Sequence, residues 1–439
     1  MISSQQDRTL FGKSRRETVS RAAQADLRPK ERRFDPVDVL RKSTEGRVRR
    51  LLPIKYARMG VSPFAFFRGA VSIMAADLGR LPHSGLTVQL CGDAHVQNLG
   101  SFAAPDGSLV FDLNDFDETI RGPWEWDVKR MAASMVLAGD ASGHSRPQSK
   151  AAAEIFAASY CRAIHEFGEL PILQTARRQI HRQGRIQPIH AALRQSERAQ
   201  PLDLLQRLTE KDRRGRPCLR DLRPRFWRVR GRSAREVLDS LAAYRESLAP
   251  ERRHLFDLFR PVDVGFKVVG TGSVGLRDYA VLFEGNGPRD PMFLQIKQEV
   301  PSVYAQWIPN LIYPHQGRRA AEGQRAIQPI SDLLLGWTSI GEHQYLVRQL
   351  NDHKGSIDLQ KLRGDGLESL AQVAGELLAR GHARSGDACE IGGYCGSGGK
   401  MTRALRDFAV RYAEQTDTDY TAFMAAIKKG QIKVAEPEG

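Results

Sequence analysis

Hydrophobic and polar positions alternate with two different periods along the chain, and the change between them divides the sequence. Between residues 46 and 165, the apolar, helical SPFAFFRGAVSIMAADLG precedes a strand at LTVQLCGD, a turn at PDG and a second strand at SLVFDLND. Asp106-Gly107 between two apolar runs supplies the positive dihedrals of a tight turn, so these strands read as a hairpin. GPWEWDVKRMAASMVLAG then predicts a helix, with Pro123 at its start, Val128, Met131, Ala132 and Met135 on one face, and Gly139 as its stop.

Residues 1–45 are polar and basic with a weak helical pattern, and are expected to be partly mobile. Residues 166–260 carry amphipathic helical segments broken by Pro and Gly, and read as an Arg-rich connecting subdomain. From 261 to 355 the period shortens to two in DVGFKVVG, LRDYAVLFEG, PMFLQIKQE and HQYLVRQLND, a strand-rich lobe with GNGPRDP as a loop. Residues 356–439 return to helix, with Asp365 and Glu368 as a capping-box-like pair and Gly381 as a stop. The expected class is α/β (α+β), in two lobes.

Composition narrows the functional classes. No apolar run approaches the roughly 20 residues of a membrane span, and MISSQQDRTLFGKSRRETVSR offers no hydrophobic segment for a signal peptide. A cytoplasmic protein with no membrane partner is expected. The five cysteines never form a C-x-x-C pair, which argues against a disulfide framework and a thiolate zinc site. The net charge of +15 suits any polyanion. In the densest basic stretch, RRGRPCLRDLRPRFWRVRGRSAR, Phe226 and Trp227 sit among arginines as in a nucleic-acid site; the favoured alternative is a solvated connection whose aromatics plug into a neighbouring core.

VVGTGSVGLRDYAVLF contains G-x-G-x-x-G at Gly270, Gly272 and Gly275, with Ser273 between them. A dinucleotide fold needs a helix after these glycines. Here a strand follows, with Tyr279, Val281 and Phe283 alternating against Asp278, Ala280 and Leu282. A glycine turn between two strands is how protein kinases cover the phosphates of ATP, and it requires a lysine on the next strand. FLQIKQE supplies Lys297 there, although a strand lysine can simply face solvent.

CGDAHVQNLG supplies the complementary chemistry. Phosphoryl transfer needs a carboxylate for the hydroxyl proton and hard oxygen ligands for Mg²⁺, and in kinases the base Asp precedes the metal-binding Asn by five residues. Asp93 and Asn98 have that spacing, and FDLNDFDE adds Asp112, Asp115 and Asp117. The loop resembles the H-G-D-x-x-x-x-N … I-D-F/W signature of aminoglycoside and choline kinases. SPFAFFRGA, CGDAHVQNLG, VFDLNDFDETIRGPWEWDVKR, VGTGSVG, FLQIKQE and HARSGD together resemble the bacterial domain of unknown function 2252 family over roughly residues 35–430. The kinase resemblance implies a two-lobed protein-kinase-like fold with extra helices, binding ATP and Mg²⁺. Two departures stand out: Cys91 replaces the kinase His, and the glycine turn follows the catalytic loop instead of preceding it. One physical reading of that order is a circular permutation.

The roles expected are Asp93 as catalytic base, Asn98 and Asp115 or Asp112 as metal ligands, and Lys297 on the phosphates, oriented by Glu322 or, in competition, Glu299. Asp93 could instead cap a turn, Asn98 could be a left-handed turn residue, and His95 either contacts phosphate or is a satisfied loop histidine. Asp117 and Asp127 read as supporting or helix-capping groups, and Arg58 and Arg68 as acid-binding groups or ordinary ion-pair partners. His382, Arg384 and Asp387 of GHARSGD receive no chemical role. The predicted activity is transfer of a phosphoryl group from ATP to a hydroxyl of an unidentified acceptor. The alternatives are an inactive nucleotide-binding module, an AMP transferase, and a basic nucleic-acid-binding protein, the last disfavoured by the acidic run from Asp112 to Glu118. A metallophosphoesterase lacks its Asp-x-His and Asn-His partners.

Overall fold

The computed structural model describes residues 3–104, 107–178, 187–198, 201–213, 215–268, 270–350 and 355–435. Its architecture is mixed α+β, and a six-stranded antiparallel sheet dominates the strand-rich part. The spatial order is Gly336–Ile340, His343–Gln349, Pro291–Glu299, Asp278–Glu284, Arg260–Lys267, Phe226–Val229. The expected alternation holds. Tyr279, Val281 and Phe283 share a core with Val237, Tyr244 and Phe256 from the helices Gly231–Ser247 and Pro250–Asp257, while Ala280 and Leu282 face the opposite side with Phe293. Because strand side chains alternate, Gln295, Lys297 and Glu299 lie on that opposite face, toward the other lobe.

The second lobe is built on the helices Glu125–Ala141, Arg146–Glu169, Gly366–Ser385 and Gly399–Lys428, which enclose the largest apolar core. At its centre Trp124 stacks on Tyr160 with ring centroids 5.5 Å apart. Among the described residues no helix is long and apolar enough to cross a membrane.

Several local expectations need correction. The strand Thr87–Leu90 pairs with Ile120–Pro123, not with the strand after the PDG turn. That turn instead joins Leu99–Ala103 to Leu109–Leu113, with Leu99 opposite Leu113; Asp106 itself lies outside the described residues. The strand expected at LTVQLCGD is followed by the loop at 91–98 and then by the short strand Leu99–Ala103, which takes its place in the hairpin. SPFAFFRGAVSIMAADLG forms two helices, Pro63–Gly69 and Val71–Leu78, rather than one. Pro123 ends a strand, and the next helix runs past Gly139 to Ala141; Gly381 likewise sits inside a helix that ends at Ser385. Asp365 occupies the N-cap position without a side-chain capping bond.

Two segment boundaries also move. Gln5–Thr18 is a full helix docked on Ala388–Cys395, where a Cβ on Gly12 would collide with the Glu390 backbone. Arg16 donates to the Tyr394 carbonyl at 2.9 Å, and Arg21 to that of Cys395 at 3.0 Å, satisfying orphan acceptors at the helix end. Phe226–Val229, within the expected connecting subdomain, is an edge strand of the large sheet. Phe226 is buried beside Leu219, and Trp227 stacks on Phe266 at 4.5 Å. The aromatics of the Arg-rich stretch therefore pack into a core, as the favoured alternative expected.

Candidate functional site

A cleft of about 450 Å³ separates the six-stranded sheet from the helical lobe. The helical-lobe side begins with the turn that follows Leu90. Gly92 has φ +86°, and a Cβ there would lie 2.1 Å from the Glu118 carbonyl, so only glycine fits. Asp127, at the start of the helix Glu125–Ala141, accepts the amide hydrogens of Cys91 at 2.7 Å and Gly92 at 3.0 Å. His382 stands 3.5 Å from the same carboxylate, and its other ring nitrogen meets the Tyr160 hydroxyl at 2.7 Å. Cys91 is thus held through its backbone amide alone, and part of HARSGD acquires a positioning role through His382 and Asp127. Asp387 caps Ala388–Cys395 and pairs with Arg8 at 2.7 Å.

Asp93 and Asn98 both line the cleft. The Asn98 Nδ2 donates to the Asp93 carbonyl at 2.8 Å, which leaves its amide oxygen available to a cation. Arg130 Nε meets Asp93 Oδ1 at 2.7 Å. Burial pushes the Asp93 carboxyl upward, and Arg130 opposes that rise. His95 has its Nε2 3.7 Å from Asp93; burial and the neighbouring Arg68 hold it well below the ordinary histidine value, hence neutral.

From the sheet, Lys297 reaches across to Asp117, with Nζ 2.5 Å from Oδ1 and in contact with Oδ2 as well. Ser273 of the glycine turn donates to the same carboxylate at 2.6 Å. Burial works against both charges, yet Lys297 holds Asp117 far below the carboxylate range and Asp117 holds the lysine above its own. Asp115 lies 3.9 Å from Lys297. Its Oδ1 is buried without a hydrogen-bond partner, and burial together with Asp117 raises its pKa to about 6. Glu299 is raised well above the usual value by burial and by Asp117, and its Oε1 has no partner.

The glycine turn is tied to the helical lobe. Buried Lys55 donates to the carbonyls of Gly69 at 3.2 Å, Thr271 at 3.0 Å and Gly272 at 3.1 Å, so its three N–H groups match three acceptors. Arg47 donates to Gly272 at 2.7 Å and Val274 at 2.8 Å. Gly275 needs its φ of +94°, but a Cβ on Gly270 would meet nothing within 4 Å, and one on Gly272 only the Arg68 carbonyl at 3.7 Å. Packing of the protein alone does not require these two glycines; the open space in front of them is what glycine preserves.

Two expected residues lie elsewhere. Glu322 is exposed on the helix Gln316–Ile327, paired with Arg318 at 2.7 Å, and does not orient Lys297. That helix presents buried Arg319 inward instead, bonded to the carbonyls of Thr119, Asp117 and Val300. Asp112 is enclosed with Arg380 at 2.5 Å, both side chains 1% exposed, away from the cleft. The lysine partner Asp117 was read as a supporting group, and Lys55, Arg47 and Arg130 were missed, because a buried cation bonded across distant segments leaves no periodic signal.

Among the described residues, no three His, Cys, Asp or Glu side chains form a ready-made metal cage. A Mg²⁺ ion does not need one, since it commonly keeps waters and phosphate oxygens beside one or two carboxylates. Asn98 and Asp115 both line the cleft, and their side-chain oxygens without hydrogen-bond partners are the candidates for such ligands.

The family described as "Uncharacterized protein conserved in bacteria (DUF2252)" matches residues 47–426. The chain belongs to that family. Its matched span includes both sides of the cleft and leaves out the docked N-terminal helix. No curated protein and no solved structure matches the chain.

Proposed function

We propose that this DUF2252 member is an ATP- and Mg²⁺-dependent phosphotransferase with a two-lobed, kinase-like build in circularly permuted order. The observation that carries the reading is the convergence in one cleft of a glycine turn between two strands, a lysine on the next strand, and the Asp93, Asn98 and Asp115 side chains from the opposite lobe. The succession also fits: strand, glycine turn, two strands, helix Gln316–Ile327, two more strands. In kinases these elements cover the nucleotide.

In this reading the glycine turn and Lys297 hold the phosphates, and Asn98 and Asp115 hold the metal, which neutralises charge on the transferred group. Asp93 takes the acceptor's hydroxyl proton while that oxygen forms a bond to the terminal phosphorus. The bond between phosphorus and the ADP oxygen breaks, and ADP leaves. The Arg130–Asp93 pair favours a second reading, an ATP-binding module without transfer, because an engaged carboxylate is a poor base.

Calorimetric titration of ATP, with and without Mg²⁺, tests the site on the native protein and on Asn98→Ala/Asp115→Asn. Metal-dependent binding lost in the variant is expected; no binding where a Kd of about 1 mM would register removes the nucleotide reading. Asp93→Asn then separates the two forms. A fall of roughly 10²–10⁴ in ADP release with ATP affinity retained supports transfer, whereas an unchanged rate excludes Asp93 as the base.

A further inference from the structure

Arg68, on the helix Pro63–Gly69, lines the cleft beneath the glycine turn. Its guanidinium makes no hydrogen bond or ion pair with a described protein group, and its Nε is sealed from solvent without an acceptor. Burial lowers its pKa, against the pull of Asp93 and Asp115. Neither acid pairs with it. Asp93 is taken by Arg130, and Asp115 lies 3.9 Å from Lys297 with an oxygen that has no hydrogen-bond partner.

An unpaired guanidinium and a carboxylate oxygen without a hydrogen-bond partner therefore line one cavity without meeting. Burying a charge is costly unless it is paired, and the protein leaves the Arg68 guanidinium unpaired although Asp115 lines the same cavity. A ligand that presents an anionic oxygen to the guanidinium and a cation to the carboxylate satisfies them together. Arg is suited to phosphate and carboxylate by its fork of donors.

We propose that Arg68 is a receptor for an anionic phosphoryl or carboxylate oxygen of the bound ligand, beside Asp93. The group belongs either to the nucleotide's terminal phosphate or to an acidic acceptor. The anion site deepens the phosphotransferase reading, and rests on it only for the nature of the two sources.

The test compares native protein, Arg68→Gln and Arg68→Lys by calorimetry with Mg²⁺, using ATP, ADP, and inorganic phosphate added alone or over saturating ATP. Loss of a charge-assisted bond should weaken the affected ligand roughly ten- to a hundredfold, and Arg68→Lys should recover part of it. A loss confined to ATP and phosphate, with ADP unaffected, places the anion on the nucleotide. Unchanged ATP and ADP with phosphate binding over ATP abolished places it on the acceptor. Native protein that binds phosphate in an Arg68-dependent way but no nucleotide leaves the anion site standing and removes the ATP reading. Affinities equal in native protein and Arg68→Gln, or no binding of any probe by native protein, overturn the proposal. Thermal melting supplies an independent readout: without a protein partner for Arg68, the ligand-free Arg68→Gln protein should melt no lower than native. A clear drop in Tm would reveal a structural role and overturn the assignment.

Discussion

Lys297 Nζ lies 2.5 Å from Asp117 Oδ1, joining residues 180 positions apart across the interlobe cleft. The ammonium is almost fully buried, and Asp115 stands 3.9 Å away, so one cation answers two acids. Removing it would leave like charges facing each other. Lys297→Met should destabilise the protein by about 3–5 kcal/mol, the range for breaking one side of a buried pair. In Asp117→Asn/Lys297→Met the loss should be smaller than the sum of the single changes. Urea unfolding of the four proteins measures the cycle; strict additivity would show that the pair does not act as a unit.

Asp112 and Arg380 form a closed pair with no face on the cleft. Asp112 also accepts the Leu113 amide hydrogen at 2.8 Å. Asp112→Asn should therefore cost stability, again about 3–5 kcal/mol, while Mg²⁺-dependent ATP affinity of the folded variant stays within about twofold of native. A variant of native stability that loses metal dependence would return Asp112 to the metal site.

Lys55 ties the glycine turn to Gly69 and matches each of its N–H groups with a carbonyl. Lys55→Met abandons the buried carbonyls of Gly69 and Thr271, at about 1–3 kcal/mol for each left unsatisfied, while that of Gly272 keeps Arg47. The amides of Ser273, Val274 and Leu276, which close the turn locally, should exchange with deuterium faster. Amides of the strand Pro291–Glu299 should change less. Equal acceleration in both would mean global destabilisation rather than release of the turn.

Asp278 is fully buried, with one oxygen bonded to Gln295 at 2.6 Å and the other unpartnered. Burial raises its pKa to about 6, against the pull of Lys267 and Lys297. The folded state therefore holds this proton more tightly than the unfolded chain, whose value is about 3.9. The resulting stability is fully present below pH about 4 and is lost as the pH rises through about 6. Asp278→Asn should raise Tm above pH 6 and converge with native near pH 4. The gain at pH 7 is on the order of 3 kcal/mol. Parallel Tm curves from pH 4 to 8 would show that Asp278 does not titrate in this window.

Much of the cleft was legible because its signals are local. The Asp93–Asn98 spacing, the glycine turn between alternating strands, and the phase that sets Gln295, Lys297 and Glu299 on one face all follow from bond geometry over a few residues. The hairpin was misassigned at one strand because LTVQL and the short strand at Leu99–Ala103 are both apolar; alternation states which residues share a face, but not which strand lies alongside.

The sequence by itself determined the family, the mixed α+β class, and the residue types available for chemistry, since these reside in motifs and in periods of two and 3.6. The tertiary structure decided which acid meets which cation: Asp117 rather than Glu322 on Lys297, Arg380 on Asp112, Arg130 on Asp93. The physical reason is that a charge pair depends on the three-dimensional approach of segments far apart in the chain. Neither charge alters the local pattern around the other, so no reading along the chain can match them.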